Sequence, residues 1–300
     1  MKRVMRDQLV DAIVTFVSRG ESLLPLDDMR RTLERELDKA GPAAIDDLKV
    51  SLALDAGWGY YPPNPLARRI HHLLADRFIK SDSTLHGAEH LPPSGGGPVV
   101  LVSNHLSYAD ANVLEVMLTR AGFTAVADRL TAVAGPKVFT SPQRRFSSLC
   151  FGTIKVAQSA DVASGEAAMN PREVAHAART SIAAACARLA AGDILLLFPE
   201  GRRSRDGGMG DLLPAAARYL ELPGTLMVPV ALTGSEKLFA IDAATVQPAR
   251  IEVVIGKPIP ASDLFRDSGG DKQRVMNVAG AAIAALLPVG YRGVFSPQPS

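Results

Sequence analysis

Residues 99–110 read VVLVSNHLSYAD, an apolar run followed immediately by polar and ionisable residues. The run has the length and composition of a buried strand, and it comes after the turn-rich segment 89–98, EHLPPSGGGP. From this point onwards, apolar runs alternate with helical patterns along the sequence. This alternation predicts an α/β fold with a mixed, largely parallel central sheet flanked by helices.

Further apolar runs of similar length are predicted as strands of the same sheet. A continuous apolar run fits a strand that is buried on both faces. The Ala-rich stretch 171–192 lies among these runs and predicts a helix that ends at Gly192. The strand candidates are TAVA after Phe123, TIKVA from Thr153, ILLLF from Ile194, LMVPVAL from Leu226 and IEVVIG from Ile251.

The first part of the chain has a different pattern, because its apolar positions recur at helical spacing. The initial stretch is predicted as an amphipathic helix rather than a signal peptide, since Asp7 and Asp11 interrupt its apolar residues. A second helix is predicted to end at Gly41, and further helical patterns follow over residues 42–57 and 64–79. We expect a helical subdomain over residues 1–80 and an α/β domain over residues 81–300.

The composition limits the class of protein and its partners. Hydrophobic residues make up 47% of the 300 positions, which is enough for a large core, and no apolar run reaches the roughly 20 residues of a membrane-spanning helix. The 33 basic and 31 acidic residues leave a formal net charge of +2, which excludes a general attraction to nucleic acid. Two cysteines cannot form a framework of disulfide bonds and fit a reducing compartment, so we expect a cytoplasmic protein.

A histidine with an aspartate five positions later occurs twice, as His71 with Asp76 and as His105 with Asp110. The first pair lies in a helical pattern, where residues five apart point in different directions, so we interpret His71 as a surface or packing residue. His105 instead follows a predicted strand and precedes a helical pattern. Open α/β sheets bind their ligands at the carboxyl ends of strands. We therefore predict His105 and Asp110 as a catalytic pair.

Residues 86–90, HGAEH, have the spacing of an inverted zinc-protease motif. That chemistry requires a helix that brings both imidazoles to one face. Gly87 lies within the motif, and Pro92, Pro93 and three glycines follow it, so a helix is not expected. We predict no metal site and no metal or redox cofactor, and we keep a zinc hydrolase only as an alternative.

Residues 198–208, FPEGRRSRDGG, directly follow a predicted strand, and we call them the arginine loop. Gly201 lets the backbone approach a ligand closely. The planar side chains of Arg202, Arg203 and Arg205 suit phosphate oxygens. On its own the segment fits a solvated basic loop equally well. A base at one strand end and an anion site at another would converge on one pocket, which favours phosphate binding.

These segments resemble the signatures of the glycerol-3-phosphate and lysophosphatidate acyltransferases. The first signature, Asn-His followed by four residues and Asp, is similar to Asn104, His105 and Asp110. The Val-Pro-Val of the fourth signature is met by residues 228–230, and order and spacing agree over residues 99–232. The third signature, Phe-Pro-Glu-Gly-Thr-Arg-Ser, is met with Arg202 in place of the usual Thr, at Phe198, Pro199, Glu200, Gly201, Arg203 and Ser204.

The second signature of this family is an aromatic-rich Gly segment that ends in Arg. It is only loosely met by CFGTIKVAQ, in which Lys155 is the basic residue. The helical start resembles the soluble, plastid-type glycerol-3-phosphate branch, in which a Gly-Arg-x-Arg pattern binds phosphate; Arg203 and Arg205 fit that pattern. The resemblance implies substrate binding by Glu200, Gly201, Arg202, Arg203, Arg205 and Lys155.

The implied reaction moves a fatty acyl group from acyl-CoA or acyl carrier protein (acyl-ACP) to the sn-1 hydroxyl of glycerol-3-phosphate, giving lysophosphatidate. Neutral His105 takes the hydroxyl proton and Asp110 fixes its tautomer. Backbone amides near Gly201 are candidate donors to the oxyanion. The alternatives are acylation of 1-acylglycerol-3-phosphate or another lysophospholipid and, less favoured, a noncatalytic lipid-binding protein.

The segment PQRRF at residues 142–146, with Lys137 nearby, is a solvated basic face in its simplest interpretation. Two other interpretations are a docking surface for acyl carrier protein and contact of Arg144, Arg145 and Phe146 with lipid headgroups. Because the product is a lipid, we expect peripheral contact with the cytosolic face of the membrane.

Overall fold

The computed structural model describes residues 2–18, 26–53, 57–93, 95–140, 142–157, 170–238 and 246–297. These residues form a central sheet with helices on both faces. The helices are α1 (Lys2–Ser18), α2 (Leu26–Ala53), α3 (Pro65–Phe78), α4 (Asp110–Arg120), α5 (Thr124–Ala127), α6 (Pro142–Ser148), α7 (Pro171–Ala190), α8 (Ser235–Leu238), α9 (Ala261–Asp267) and α10 (Lys272–Leu286). The strands are β1 (Gly59–Tyr61), β2 (Thr84–His86), β3 (Val99–Ser103), β4 (Leu130–Ala134), β5 (Gly152–Lys155), β6 (Ile194–Leu197), β7 (Leu226–Thr233), β8 (Glu252–Ile255) and β9 (Ile259–Pro260). None of the helices in these ranges has the length and apolar character needed to cross a bilayer.

The strand order across the sheet is β1-β5-β4-β6-β3-β7-β8-β2, and the short β9 pairs with β7. Neighbours are parallel from β5 to β7 in this order, and β2 is parallel to β8. The pairs β1–β5, β7–β8 and β7–β9 are antiparallel. The predicted α/β class with a mixed, largely parallel sheet is confirmed. Because β3, β4, β6 and β7 are parallel, their carboxyl ends meet at one edge, where such sheets bind ligands.

Strand β3 lies in the middle of the sheet, and its five residues are all buried. Leu101 packs on the face covered by α1–α4, in one apolar cluster with Ile70. Val100 and Val102 pack on the opposite face, in a cluster with Val275 of α10. Successive side chains of a strand point to opposite faces, so a strand covered on both faces needs a continuous apolar run.

Most elements that the apolar patterns predict are present. The predicted strands other than TAVA are β3, β5, β6, β7 and β8, and the Ala-rich helix is α7. Gly192 follows α7 with a φ of 92°, the left-handed conformation that commonly ends helices. The interpretation of residues 124–127 as a strand is wrong, because they form the single helical turn α5. No pattern in the sequence indicated β1, β2, β4 or β9.

The first 80 residues contain α1, α2 and α3 as expected, and they also contain β1, which pairs with β5. Within α2 the backbone of Gly41 has φ 80° and ψ 171°, and Pro42 follows it. The helix that begins at Leu26 therefore ends at Gly41, as the sequence predicts, and a second helical segment of α2 begins at Pro42 after the kink. Leu37 of α2 belongs to the same apolar cluster as Leu101 of β3, so these helices cover one face of the sheet.

Candidate active site

Asn104, the first residue after β3, hydrogen-bonds the start of the loop that precedes α4 to β7. Its Nδ2 donates to the carbonyl oxygen of Leu232 at 2.9 Å, and its Oδ1 accepts from the Leu232 amide at 2.8 Å. The side-chain amide thus imitates a strand residue that pairs with β7. This bond pair fixes the backbone just before His105.

His105 and Asp110 form a hydrogen-bonded pair at this edge, with Nδ1 of His105 2.8 Å from Oδ2 of Asp110. The same oxygen accepts from the amides of Leu106 at 2.7 Å and Ser107 at 2.9 Å, and Oδ1 accepts from the Ser235 hydroxyl at 2.6 Å. Asp110 is fully buried and is the first residue of α4, where the helix dipole favours a negative charge. The carboxylate is therefore held rigidly against the imidazole.

The imidazole of His105 is oriented for proton transfer. Its Nδ1 donates to Asp110, which assigns the proton of the neutral ring to that nitrogen and leaves Nε2 as an acceptor. The ring of Phe198 stacks on it, with centroids 4.4 Å apart and planes inclined by 25°. The His105 side chain is 18% exposed and lines a cavity, so a bound hydroxyl can reach Nε2.

Glu200 joins the two loops of the site. Its Oε1 accepts from the amide of His105 at 2.9 Å and its Oε2 from the amide of Gly210 at 2.8 Å, while the Ser204 amide donates to the His105 carbonyl at 2.7 Å. Burial raises the pKa of Glu200 above its ordinary value, against the opposing effect of these amide donors. Both oxygens are engaged by the main chain, which indicates that Glu200 orders the loops; a substrate contact stays a prediction.

Gly201 has a φ of 67°, and a β-carbon added to it would lie 2.5 Å from Cδ1 of Leu213. A residue with a side chain is therefore disfavoured there mainly by conformation, since the flexible end of Leu213 can shift away from a β-carbon. The Gly201 amide donates to the carbonyl of Phe198 at 3.1 Å and closes the turn. This amide is engaged within the arginine loop, so the geometry does not support it as the expected oxyanion donor.

The three arginines of the arginine loop line the cavity. Arg202 and Arg205 are exposed, whereas Arg203 is partly buried, with its Cζ 3.7 Å from the ring centroid of Tyr108. None of the three forms an ion pair with any carboxylate that the structure describes. Asp206 accepts instead from a hydroxyl and an amide of its own loop, both at 3.0 Å. The positive charge of the loop is thus available for an anionic ligand.

Lys155, the basic residue of the loosely met second signature, is the last residue of β5. Its ammonium lies over the ring of Trp58, 4.9 Å from the centroid, and over the ring of Phe139 at 5.3 Å. Lys155 is not among the residues that line the cavity. A contact of Lys155 with the acceptor therefore has no support in this geometry.

The arginines of residues 142–146 do not form the solvated basic face that the sequence suggests. Arg145 is 3% exposed and lies over the ring of Tyr61, 4.7 Å from the centroid. Arg144 and Phe146 are partly buried and line the cavity. Docking of a carrier protein or of lipid headgroups on this segment is not supported, and Arg144 becomes a residue of the site.

A cavity of about 1860 Å³ contains His105 and the arginine loop in its lining. Its apolar lining lies on both faces of the sheet, so two apolar regions approach the catalytic pair from opposite sides. On the face covered by α1–α4 the lining includes Ile13, Leu74, Phe78 and Phe151, and on the other face it includes Val133, Val156, Leu197 and Tyr219.

His71, the histidine of the other His–Asp pair, lies on α3 and lines the same cavity. Asp76 pairs with Arg120 at 2.8 Å rather than with His71. Burial lowers the pKa of His71 to about 4, so the imidazole is neutral near pH 7. This position agrees with the interpretation of His71 as a packing residue.

A stability measurement tests the environment of the His71 imidazole, whose Nδ1 is buried although the residue as a whole is partly exposed. Its folded pKa of about 4 lies below the ordinary value of 6.5, so between these values the unfolded chain binds a proton that the folded chain does not. Stability is therefore lost as the pH falls through this window and is unaffected above it. His71→Leu should remove roughly 2–3 kcal/mol of the loss between about pH 7 and pH 4.5. Urea unfolding of both proteins at the two pH values measures this difference in unfolding free energy. If the variant lost as much stability as the wild type, the lowered pKa of His71 would be contradicted.

The segment HGAEH does not form the helix that a zinc site of its spacing requires. Gly87 has a φ of 75°, and residues 88–90 form a single 3-10 turn. Nδ1 of His90 lies 2.8 Å from the carbonyl oxygen of Ile255, and His86 is exposed on β2. The two imidazoles are therefore not arranged as zinc ligands.

Tyr108, Arg144 and Ser235 belong to the site but were not predicted for it. Tyr108 lies between His105 and Asp110, and this position within the motif is the sequence signal that could have placed it in the site. Ser235 follows β7, so a search of all strand ends would find it. Arg144 comes from α6, and no spacing in the sequence relates it to the other site residues.

Residues 82–233 match the model of the family described as Acyltransferase, and this range includes the catalytic pair and the whole arginine loop. The match covers just over half of the chain. The chain belongs to the acyltransferase family.

Two curated plant proteins are similar to this acyltransferase. The 1-acyl-sn-glycerol-3-phosphate acyltransferase LPAT1, chloroplastic, of Arabidopsis thaliana is 24% identical over 206 residues, which cover 66% of this chain and 51% of that protein. The 1-acyl-sn-glycerol-3-phosphate acyltransferase BAT2, chloroplastic, of Brassica napus is 26% identical over 217 residues, which cover 68% and 55%. The chain thus spans about half the length of these relatives.

Among solved structures, the 1-acyl-sn-glycerophosphate (LPA) acyltransferase PlsC from Thermotoga maritima matches this acyltransferase with a TM-score of 0.49 and 17% sequence identity. The match covers 95% of this chain and 99% of that one. The resemblance to the glycerol-3-phosphate and lysophosphatidate acyltransferases, first drawn from the motifs, is confirmed by the family and its relatives.

Proposed function

We propose that this acyltransferase transfers a fatty acyl group from a thioester to the free hydroxyl of 1-acylglycerol-3-phosphate. The observation that carries the proposal is the pair of apolar regions that approach His105 from opposite faces of the sheet. A lysophosphatidate acceptor and an acyl donor each bring one hydrocarbon chain, whereas glycerol-3-phosphate brings none. The cavity of about 1860 Å³ exceeds the roughly 300–1,000 Å³ of common ligand pockets, which fits two chains better than one.

The relatives support the same acceptor. Both curated plant proteins are named as 1-acyl-sn-glycerol-3-phosphate acyltransferases. Acylation of glycerol-3-phosphate at its sn-1 hydroxyl, which the sequence favoured, has no such support and becomes the alternative. The chain spans about half the length of these relatives, so the acceptor named for them is a proposal for this chain.

In the proposed reaction, Nε2 of His105 takes the proton of the acceptor hydroxyl as the hydroxyl oxygen attacks the thioester carbonyl. The tetrahedral intermediate then expels the thiolate, which receives that proton from the imidazolium. Asp110 stabilises the imidazolium through the 2.8 Å bond to Nδ1. The acceptor attacks directly, so these steps involve no acyl-enzyme intermediate and no further cofactor.

Thiol release measured with a panel of acceptors tests the proposed function. The purified chain receives an acyl-CoA donor with lysophosphatidate, glycerol-3-phosphate or water as the acceptor. We expect lysophosphatidate to be used fastest and water slowest. Faster release with glycerol-3-phosphate would replace the proposal by its alternative, and equal release with all three would indicate thioester hydrolysis.

Arg203 is expected to bind the acceptor phosphate. Arg203→Ala should raise KM for lysophosphatidate by roughly 10- to 100-fold, the range of a lost charge-assisted hydrogen bond. Arg203→Lys keeps the charge without the planar fork and should raise it by roughly 10-fold. Steady-state kinetics should show a much smaller change in KM for the acyl donor.

Arg250→Ala is the control for Arg203, because Arg250 is 62% exposed and does not line the cavity. It should leave both Michaelis constants unchanged. A selective rise in the donor KM of the Arg203 variants would instead assign the arginine loop to the phosphates of coenzyme A.

Donor identity and membrane contact stay predictions within this proposal. Acyl-CoA and acyl-ACP both present the thioester that the mechanism needs. An acceptor with a hydrocarbon chain resides in a lipid surface, which supports peripheral contact with a membrane. The cytosolic face stays a prediction from the sequence.

A further inference from the structure

The ring of Tyr108 lies against two guanidinium groups from different parts of the chain. Cζ of Arg203 is 3.7 Å from the ring centroid, and Cζ of Arg144 is 4.6 Å from it. The two guanidinium carbons are therefore no farther apart than the sum of these distances. All three side chains line the cavity that contains His105. We call Arg144, Tyr108 and Arg203 the Tyr108 clamp.

The Tyr108 clamp is held in place relative to the catalytic pair. Tyr108 lies within the loop that carries the pair. The amide of Ser204, the residue after Arg203, donates to the carbonyl of His105 at 2.7 Å. Arg144 reaches the same ring from α6, which is separate from both loops. A ligand held by the clamp is thus positioned against His105 from three elements of the fold.

The charges of the Tyr108 clamp favour an anionic ligand. Two guanidinium groups beside one ring repel each other, and their attraction to the aromatic face offsets only part of this. Nη1 of Arg203 is buried without a hydrogen-bond partner, which is unfavourable until an acceptor arrives. An anion with several oxygens relieves both effects. Planar guanidinium forks match the oxygens of a phosphate especially well.

We propose that Arg144 is a second phosphate-binding residue, which holds the phosphate monoester of the acceptor together with Arg203 beside Tyr108. This inference rests on the proposed function. It gives α6 a role in specificity, because a phosphorylated acceptor engages both arginines and an uncharged acceptor with the same chain engages neither. Coenzyme A also carries phosphate, so the test separates acceptor phosphate from donor phosphate.

The test uses the full chain, two acceptors and two donors. The acceptors are lysophosphatidate and monoacylglycerol, and the donors are acyl-CoA and the phosphate-free thioester acyl-N-acetylcysteamine. Arg144→Ala should lower kcat/KM for lysophosphatidate by roughly 10- to 100-fold and change that for monoacylglycerol by less than about 2-fold. The preference for the phosphorylated acceptor should fall by the same factor with both donors. Arg144→Lys, which keeps the charge, should recover part of it.

Each other outcome decides against a stated part of the inference. A loss seen with acyl-CoA but absent with the phosphate-free thioester would place the clamp on donor phosphate and overturn the acceptor assignment. An equal fall for both acceptors would indicate a structural role and overturn it as well. A wild-type chain that acylates glycerol-3-phosphate but not lysophosphatidate would overturn the proposed function alone. The role of Arg144 is then tested by comparing kcat/KM for glycerol-3-phosphate with that for glycerol, which lacks the phosphate. A wild-type chain without preference for phosphate would overturn both.

The Arg250→Ala variant is again the matched control, since Arg250 lies outside the cavity lining and its carboxylate partner Asp82 is 3.8 Å away. It should leave the acceptor preference unchanged. Thermal unfolding of each variant separates a folding defect from a binding defect. If Arg144→Ala does not fold, Arg144→Gln is uncharged, closer in size, and should give the same loss of preference.

Discussion

Replacing His105 by alanine is expected to lower kcat for acyl transfer by about 10³-fold or more, because general-base catalysis typically contributes about 10²–10⁴-fold. The neighbouring ionisable groups are not placed to replace it. Glu200 is engaged by two backbone amides, and His71 lies on α3, outside the loop that carries Asp110. Michaelis constants should change little, since the arginine loop and the apolar regions are untouched. Steady-state kinetics with saturating lysophosphatidate and donor measures the effect.

Two histidine variants serve as controls for His105→Ala. His176 is exposed on α7 outside the cavity lining, and His176→Ala should be fully active. His71→Ala should retain most of the turnover, because Asp76, five positions after His71, pairs with Arg120 and not with this imidazole. If folded His105→Ala kept a kcat near that of the wild type, the general base would have to lie elsewhere.

The tetrapeptide TAVA occurs twice, at residues 124–127 and 131–134, and it shows the limit of local sequence in determining this fold. The first copy forms α5 and the second is part of β4. The sequence patterns favoured a strand only for the first copy. In the structure the second copy lies between β5 and β6, and Thr131 donates to Asp193 at 2.6 Å. Strand partners distant in the sequence therefore decide between the two conformations.

The hydrogen-bonded pairing of His105 with Asp110 was predictable because both residues lie in one loop that follows a long, buried apolar strand. The groups that fix the pair were not predictable, since they come from distant segments. Ser235 is 125 residues from Asp110, and Leu232 is 128 residues from Asn104. Their hydrogen bonds exist only because β7 pairs beside β3. The pairing of His105 with Asp110 was thus readable from the sequence, whereas the hydrogen bonds that support it depend on the topology.

Lys155 shows why a motif position alone does not place a side chain in a site. Its position opposite Gly59 depends on the pairing of β1 with β5, and this pairing brings Trp58 close to its ammonium. Strand β1 has only three residues, too few for a recognisable apolar period. The environment of Lys155 therefore could not be read from the second signature.

The bonds of Asp110 determine what an asparagine would do in its place. An amide oxygen at the position of Oδ2 can still accept from His105 Nδ1 and from the amides of Leu106 and Ser107. An amide nitrogen at the position of Oδ1 can donate to the Ser235 hydroxyl oxygen, which lies 2.6 Å from Oδ1. The substitution therefore keeps the hydrogen bonds and the imidazole tautomer, and it removes the negative charge.

Asp110→Asn is accordingly expected to lower kcat by about 10²- to 10⁴-fold, since the imidazolium formed during the reaction loses its counter-charge. The KM for the acceptor should change by less than about 3-fold, because no binding group is altered. Asp110→Ala is the companion variant, and it should also lower the denaturant midpoint, since it leaves buried amides without an acceptor. A raised acceptor KM with an unchanged kcat would contradict the role of Asp110 beside His105.

A double-mutant cycle with Ser235 separates charge from hydrogen bonding in this network. In the wild type, Ser235→Ala leaves Asp110 with its three other donors, so stability and kcat should fall only slightly. In the Asp110→Asn background, Ser235→Ala leaves the asparagine side-chain nitrogen buried without an acceptor. This should lower the unfolding free energy by roughly a further 1–3 kcal/mol. Urea unfolding of the four proteins gives the coupling energy. If the two changes in unfolding free energy were strictly additive, the nitrogen of the asparagine would not face Ser235. The loss of kcat in Asp110→Asn would then reflect a displaced His105 rather than a missing charge.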